Sequence, residues 1–139
     1  VPPMPKVVFI VEDDLVQQKM LQHHFEEMLG NYTVKTFTDP EDLFAHLNEK
    51  PFAVVLDHFF SKKKDKTGLD YLKELKKKRS GIPVVYYTSC TDEAVRAKAT
   101  ELGADHFIHK NSASLVRLRT ALDSLNAKKK GFLQGFFKG

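Results

Sequence analysis

Asp57 is the residue on which the chemistry of this chain turns. It ends the apolar run Phe52-Ala-Val-Val-Leu56. A carboxylate at the end of a buried strand needs a compensating charge, because an unpaired buried charge is costly. A lysine can supply one, and so can a metal cation held by further carboxylates; other apolar runs end in both kinds of group. Glu12, Asp13 and Asp14 follow Lys6–Val11, and Lys110 follows Asp105–His109. Thr88 and Ser89 close a fourth run, from Ile82 to Tyr87. Asp13 and Asp57, helped by Glu12, are hard oxygen donors suited to Mg²⁺ or Mn²⁺. Such a cation lets an anionic phosphoryl group approach Asp57. A carboxylate can attack phosphorus and hold an acyl phosphate. The Lys110 ammonium and the Thr88 hydroxyl suit the phosphoryl oxygens. Phosphoryl transfer asks for little beyond such positioning and charge stabilisation.

Positioning these groups requires elements that end together. Lys6–Val11, Thr33–Phe37, Phe52–Leu56, Ile82–Tyr87 and Asp105–His109 read as five strands. Those nearest the chemistry are apolar without alternation, as expected of strands buried on both faces. Between them lie helical patterns. Leu15–Leu29 carries Val16, Met20, Leu21, Phe25, Met28 and Leu29 at helical spacing, with Asp13 or Asp14 as cap and Gly30 beyond the end. Asp39-Pro40 starts a helix to about Asn48. Thr67–Lys78 is helical, Thr91 caps a fourth helix ending at Leu102-Gly103, and Ser112 caps a fifth through Leu115, Leu118, Leu122 and Leu125. Strands alternating with helices predict an α/β domain with a parallel sheet covered on both faces. In such sheets, sites form at the carboxyl ends of the strands. Glu12-Asp13, Asp57, Thr88-Ser89 and Lys110 all fall there.

Composition narrows the class. The 139 residues suit one domain with a real core, and 29% are charged, which is ordinary. No apolar run reaches a membrane span, and Val1-Pro-Pro-Met-Pro5 lacks the features of a signal peptide. Residues 1–5 are expected to be disordered or left over from cloning, with Met4 a candidate start. The lone Cys90 cannot form an intramolecular disulfide, so a reducing cytoplasm is expected. The net charge of +4 is gathered in three basic clusters: Lys62–Lys64, Lys76–Arg79 and Lys128–Lys130. His23, His24 and His46 have no zinc-ligand spacing. Tyr86 and Tyr87 read as strand packing, and His58 and His109 read first as surface residues near the site.

From Lys6 to about Asn126 the chain resembles a response regulator receiver domain. The resemblance rests on Val11-Glu-Asp-Asp14, Leu56-Asp57, Pro83-Val-Val-Tyr-Tyr-Thr88-Ser89, Gly103-Ala-Asp105 and Phe107-Ile-His-Lys110. Each is short, and together they are specific. It implies a flavodoxin-like sheet of order 2-1-3-4-5. It also implies Asp57 as phosphoacceptor, Asp13 as metal ligand, Glu12 acting on the metal through water, and Phe59 offering its backbone carbonyl. Thr88 would be the switch hydroxyl, Lys110 the phosphate-binding lysine and Phe107 the switch aromatic. The phosphoryl group would come from a sensor histidine kinase or a phosphotransfer protein. Output would pass through the fourth helix, fifth strand and fifth helix. The protein would then be a signalling module with acceptor chemistry only, not an enzyme in the ordinary sense.

Three departures bear on this. A long basic loop, His58 to Gly68, stands where the family often has Met-Pro and a short loop. Asn111 stands where Lys110 is usually followed by proline, often after a cis bond. Phe59 and Cys90 occupy positions that flank the water of dephosphorylation, which implies slow phosphoryl loss. A metal-dependent phosphatase is disfavoured, since His58 and Phe59 stand where its second acid would be. Residues 127–139 form a basic, Phe-rich tail. Phe132, Leu133, Phe136 and Phe137 share a helical face there, but the segment is short for a helix on its own. It is expected to fold back, to dock a partner or a second copy, or to lie on an anionic membrane. No DNA-binding domain is expected to follow, so a stand-alone receiver signalling by protein contact is the leading reading. A non-phosphorylated adaptor acting through the tail is the alternative.

Overall fold

A computed structural model describes the backbone of residues 6–138 and the side chains of residues 6–131. The strands are β1 (Lys6–Val11), β2 (Tyr32–Phe37), β3 (Ala53–Leu56), β4 (Val84–Thr88) and β5 (His106–His109). They pair in parallel, in the order β2-β1-β3-β4-β5, as the sequence predicts. The α-helices are α1 (Leu15–Met28), α2 (Gly68–Lys78), α3 (Glu93–Glu101) and α4 (Ser114–Lys138). Pro40–Glu49 is a 3-10 helix.

The alternation of strand side chains builds two cores. Val8, Ile10, Val55 and Val85 point to one face and pack with Leu21 and Phe25 of α1 and Leu118 and Leu122 of α4. Phe9, Val11, Leu56 and Tyr86 point to the other, with Leu43 and Leu47 of the 3-10 helix, Leu72 and Leu75 of α2, and Ala99 of α3. Each fully buried Leu or Phe contributes about 1.5–3 kcal/mol. Burial on both faces explains why these strands carry continuous apolar runs.

Local details differ where two signals compete. The cap of α3 is Asp92, whose carboxylate accepts from Ala94 N–H, and not Thr91. Asn111, not Ser112, organises the start of α4: its side-chain oxygen accepts from Ala113 N–H at 2.9 Å. In α1 the inward residues include Gln18, Leu21 and Phe25, while Val16, Met20 and Met28 are exposed. The helix after Asp39-Pro40 takes the tighter 3-10 form. That winding eclipses residues i and i+3, setting His46 against Glu49 at 2.5 Å, with Lys35 bonded to both. It ends at Lys50, in the left-handed region at φ 54°.

No cis peptide bond occurs among the described residues, so Lys110–Asn111 is trans. Among the described residues no helix is long and apolar enough to cross a membrane. α4 runs on without a break past Asn126 to Lys138. The backbone of the basic tail thus continues an existing helix and needs no nucleus of its own. The expected Phe132, Leu133, Phe136 and Phe137 face, and the calls on residues 1–5, lie outside the described residues.

Candidate functional site

The carboxyl ends of β1, β3, β4 and β5 meet around one lysine. Lys110 N–H donates to Thr88 O at 2.8 Å, joining the ends of β4 and β5. The Lys110 ammonium lies 2.9 Å from Asp57 Oδ2, 3.4 Å from both Glu12 oxygens and 2.5 Å from Gln17 Oε1. It also stands 5.4 Å from the Tyr87 ring centroid. Glu12 and Asp57 are 3% and 8% exposed, so this is a buried cluster whose partners must satisfy one another.

Two carboxylates this close cannot both ionise easily. Burial, the hydrogen bond to Asp57 and its charge push the Glu12 carboxyl up to about 9, against the pull of Lys110. Burial also acts to raise Asp57. The bond from Glu12, the Lys110 charge and the His58 N–H outweigh it and hold Asp57 below the usual carboxylate range. That N–H donates to Asp57 Oδ1 at 2.6 Å. Burial and the neighbouring Asp57 thus favour the protonated form of Glu12, while Lys110 and the His58 N–H favour the charged form of Asp57.

Asp13 faces the same cleft but is turned to the β3–α2 loop. Its Oδ2 accepts from Ser61 N–H at 2.8 Å and from Ser61 Oγ at 2.9 Å. Among the described residues no three Asp, Glu, His or Cys side chains converge tightly enough to hold a metal as they stand. Two contacts account for this: Lys110 spans Glu12 and Asp57, and Ser61 holds Asp13. The donor chemistry still fits a hard divalent cation, since Glu12, Asp13 and Asp57 line one open cleft of about 510 Å³. Phe59 also lines it.

Thr88 is fully buried, and its hydroxyl accepts from Cys90 N–H at 3.1 Å. Phe107 is half-buried and stacked on Tyr86, with ring centroids 5.5 Å apart and planes at 18°. The Arg96 guanidinium lies 5.2 Å from the Phe107 centroid. The Tyr86 hydroxyl is in turn hydrogen-bonded to His58 Nδ1 at 2.6 Å. His58 is therefore a buried residue and not a surface one. Burial pushes its imidazole down, against Asp57, Asp92 and Asp70, which favours the neutral ring. Burial likewise pushes the Tyr86 phenol up. A continuous set of contacts thus links Asp57, through His58 and Tyr86, to Phe107.

Sequence reasoning missed several residues that shape the site: Gln17, Ser61, Gly68 and the His58–Tyr86 pair. A polar residue after a strand or a tyrosine within one carries no signal of its partner. Gly68 does carry one, since it opens α2 directly after the Thr67 cap. A Cβ there would lie 2.0 Å from the Asp57 carbonyl oxygen. The Thr67–Asp70 capping box and the Gly68 N–H bond to His58 O, at 2.8 Å, seat α2 against the end of β3, beside Asp57.

Residues 8–123 match the family model described as the response regulator receiver domain. The chain belongs to this family. Receiver domains are parts of two-component response regulators and are signalling modules. The chain is 30% identical over 115 residues to the methanogenesis regulatory protein FilR1 of Methanothrix harundinacea, covering 80% of this chain and 25% of that protein. It is 30% identical over 103 residues to the response regulator SaeR of Staphylococcus aureus, covering 74% of this chain and 43% of SaeR. The receiver thus spans less than half the length of these relatives. Among solved structures it is similar to a CheY-like receiver from Methanospirillum hungatei, with a TM-score of 0.79 and 21% identity, covering 92% of this chain and 99% of that one. It is also similar to the BeF3-activated DrrB receiver domain, with a TM-score of 0.68 and 26% identity, covering 86% and 99%.

Proposed function

We propose that this receiver accepts a phosphoryl group on Asp57 from a phosphohistidine of a sensor kinase or phosphotransfer protein. The observation that carries the reading is the Lys110 ammonium 2.9 Å from the buried Asp57 carboxylate, in a cleft lined also by Glu12 and Asp13. An oxygen of Asp57 attacks phosphorus. The P–O bond forms as the P–N bond to the donor imidazole breaks, and the imidazole keeps the electron pair. Lys110 leaves its pairing with the carboxylate and takes the phosphoryl oxygens. The buried Thr88 hydroxyl accepts one bond from Cys90 N–H and has its own proton to donate to the phosphoryl group.

Asp13, Asp57 and the Phe59 carbonyl would hold Mg²⁺, or Mn²⁺, with Glu12 acting through water. The cation, when bound, offsets the charge of the incoming phosphoryl group. Ser61 bonds only Oδ2 of Asp13, so Oδ1 would be the oxygen offered to the cation while the β3–α2 loop stays pinned. Thr88 and Phe107 carry the change to the face of α3, β5 and α4, and output is by protein contact there. Phe59 and Cys90 at the site disfavour a positioned attacking water, so the phosphoryl group decays slowly.

The test is transfer from a phosphorylated histidine donor to the wild type and to Asp57→Asn. The reading expects a hydroxylamine-labile acyl phosphate in the wild type only. Equal labelling of the variant would assign the acceptor elsewhere.

A further inference from the structure

The loop between β3 and α2 carries Lys62, Lys63, Lys64 and Lys66 around a single acid, Asp65. It is pinned at several points. Phe60 is buried and meets Tyr71 edge-on at 5.7 Å. Ser61 is bonded to Asp13, and Lys63 N–H closes a turn on Phe60 O at 2.9 Å. At the far end Thr67 caps α2. A pinned backbone fixes the points from which the flexible lysine side chains reach out. Lys63, Lys64 and Lys66 line the cleft that holds Asp57 and Lys110.

These lysines are only partly neutralised. Lys63 lies 3.4 Å from Asp39 and 3.8 Å from Glu41, and Lys66 lies 3.9 Å from Glu41. Lys64 is exposed and forms no ion pair among the described residues. Phe59, 57% exposed and held edge-on against His58 at 4.7 Å, stands at the same cleft. The acids Glu12 and Asp57 lie deep, with Lys110 between them. On the β1–α1 rim Asp13 is bonded to Ser61, and the exposed Asp14 caps α1. The opposite rim, formed by the β3–α2 loop, is therefore cationic around one aromatic ring. Charge of one sign at the mouth of a cleft speeds encounter with the opposite sign. Lysines suit this, because a flexible point charge accepts many carboxylate geometries.

We propose that Phe59 and the lysines of this loop are the docking surface for a phosphodonor protein whose face around its phosphohistidine is rich in carboxylates. An apolar side chain of that face would cover Phe59. The inference rests on the reading of Asp57 as acceptor and adds to it the class of donor. The loop selects donors by the charge around the histidine, not by the group transferred.

The test uses the full chain and two synthetic peptides, each bearing one phosphohistidine, flanked by glutamates in one and by glutamines in the other. Initial transfer rates are read by intact mass. At low salt the glutamate peptide should react about tenfold faster, and at high salt the advantage should fall below about twofold. K64E/K66E should remove or reverse the preference, and K64Q/K66Q should give an intermediate value. Equal rates in the wild type, or a preference that survives K64E/K66E, would overturn the proposal. Acetyl phosphate separates the two readings. Labelling of Asp57 by acetyl phosphate, with no preference between peptides, would overturn the docking surface alone. No labelling by any donor would overturn the acceptor reading and the docking surface with it.

Discussion

Gly68→Ala should destabilise the receiver strongly although it adds one methyl group. Its Cβ would lie 2.0 Å from the Asp57 carbonyl oxygen, 2.5 Å from the Tyr86 hydroxyl and 3.0 Å from the Asp57 carbonyl carbon. Non-bonded carbons pack at about 3.5–4.0 Å, so the start of α2 must retreat by roughly 1 Å or more. Two of the three obstacles are backbone atoms of Asp57, which cannot swing aside. The retreat strains the Gly68 N–H bond to His58 O and the Thr67–Asp70 capping box. Overpacking costs about 1–3 kcal/mol, and a weakened cap about 0.5–2 kcal/mol. A total near 3 kcal/mol corresponds to a fall in Tm of roughly 10 °C for a domain of this size. Thermal and urea unfolding followed by circular dichroism measure it. Gly131→Ala is the control, because a Cβ there meets nothing within 4 Å. It lies within α4, where replacing glycine should stabilise by up to about 1 kcal/mol. A Gly68→Ala protein within about 0.5 kcal/mol of wild type would refute the steric reasoning.

Other perturbations follow from the same contacts. Tyr86→Phe removes the hydrogen-bond partner of His58 Nδ1 and leaves a buried ring nitrogen unpaired, so urea unfolding should show a loss of about 1–3 kcal/mol. Lys110→Ala strips the buried Asp57 of its partner and should cost about 3 kcal/mol at neutral pH; an unchanged urea midpoint would contradict the pairing. Lys50→Gly relieves the left-handed backbone at φ 54° and should stabilise by about 0.5–1 kcal/mol in the same assay. His24 gives a pH dependence. Burial, Arg119 and His23 lower its imidazole from the ordinary histidine value of about 6.5, so the unfolded chain binds the proton more readily. Its contribution is then fully present above about pH 6.5 and is lost as pH falls through and below that value. Comparing stability at neutral and mildly acidic pH, His24→Gln should show the shallower decline, and an equal decline would count against the assignment.

The fold was legible because both faces of the sheet are buried. Val8 and Ile10 serve one core and Phe9 and Val11 the other, so the strand had to be apolar throughout. The gathering of Asp57, Glu12 and Lys110 was legible for a related reason: a charge directly after such a run sits at a strand end. Caps were harder, since Thr91 beside Asp92 and Ser112 beside Asn111 offer two cap-competent side chains each, and geometry chooses between them. Least legible were the contacts that depend on packing at a distance. Nothing in the neighbourhood of His58 in sequence announces Tyr86, 28 residues on. Nor does Ser61 announce Asp13, 48 residues before it.

The central claim is that Asp57 accepts a phosphoryl group. Intact mass after incubation with Mg²⁺ and acetyl phosphate, with and without chelator, tests it most directly. The account predicts one phosphoryl gain in the wild type, dependent on Mg²⁺ and absent from Asp57→Asn. No gain in the wild type, or an equal gain in Asp57→Asn, would contradict it.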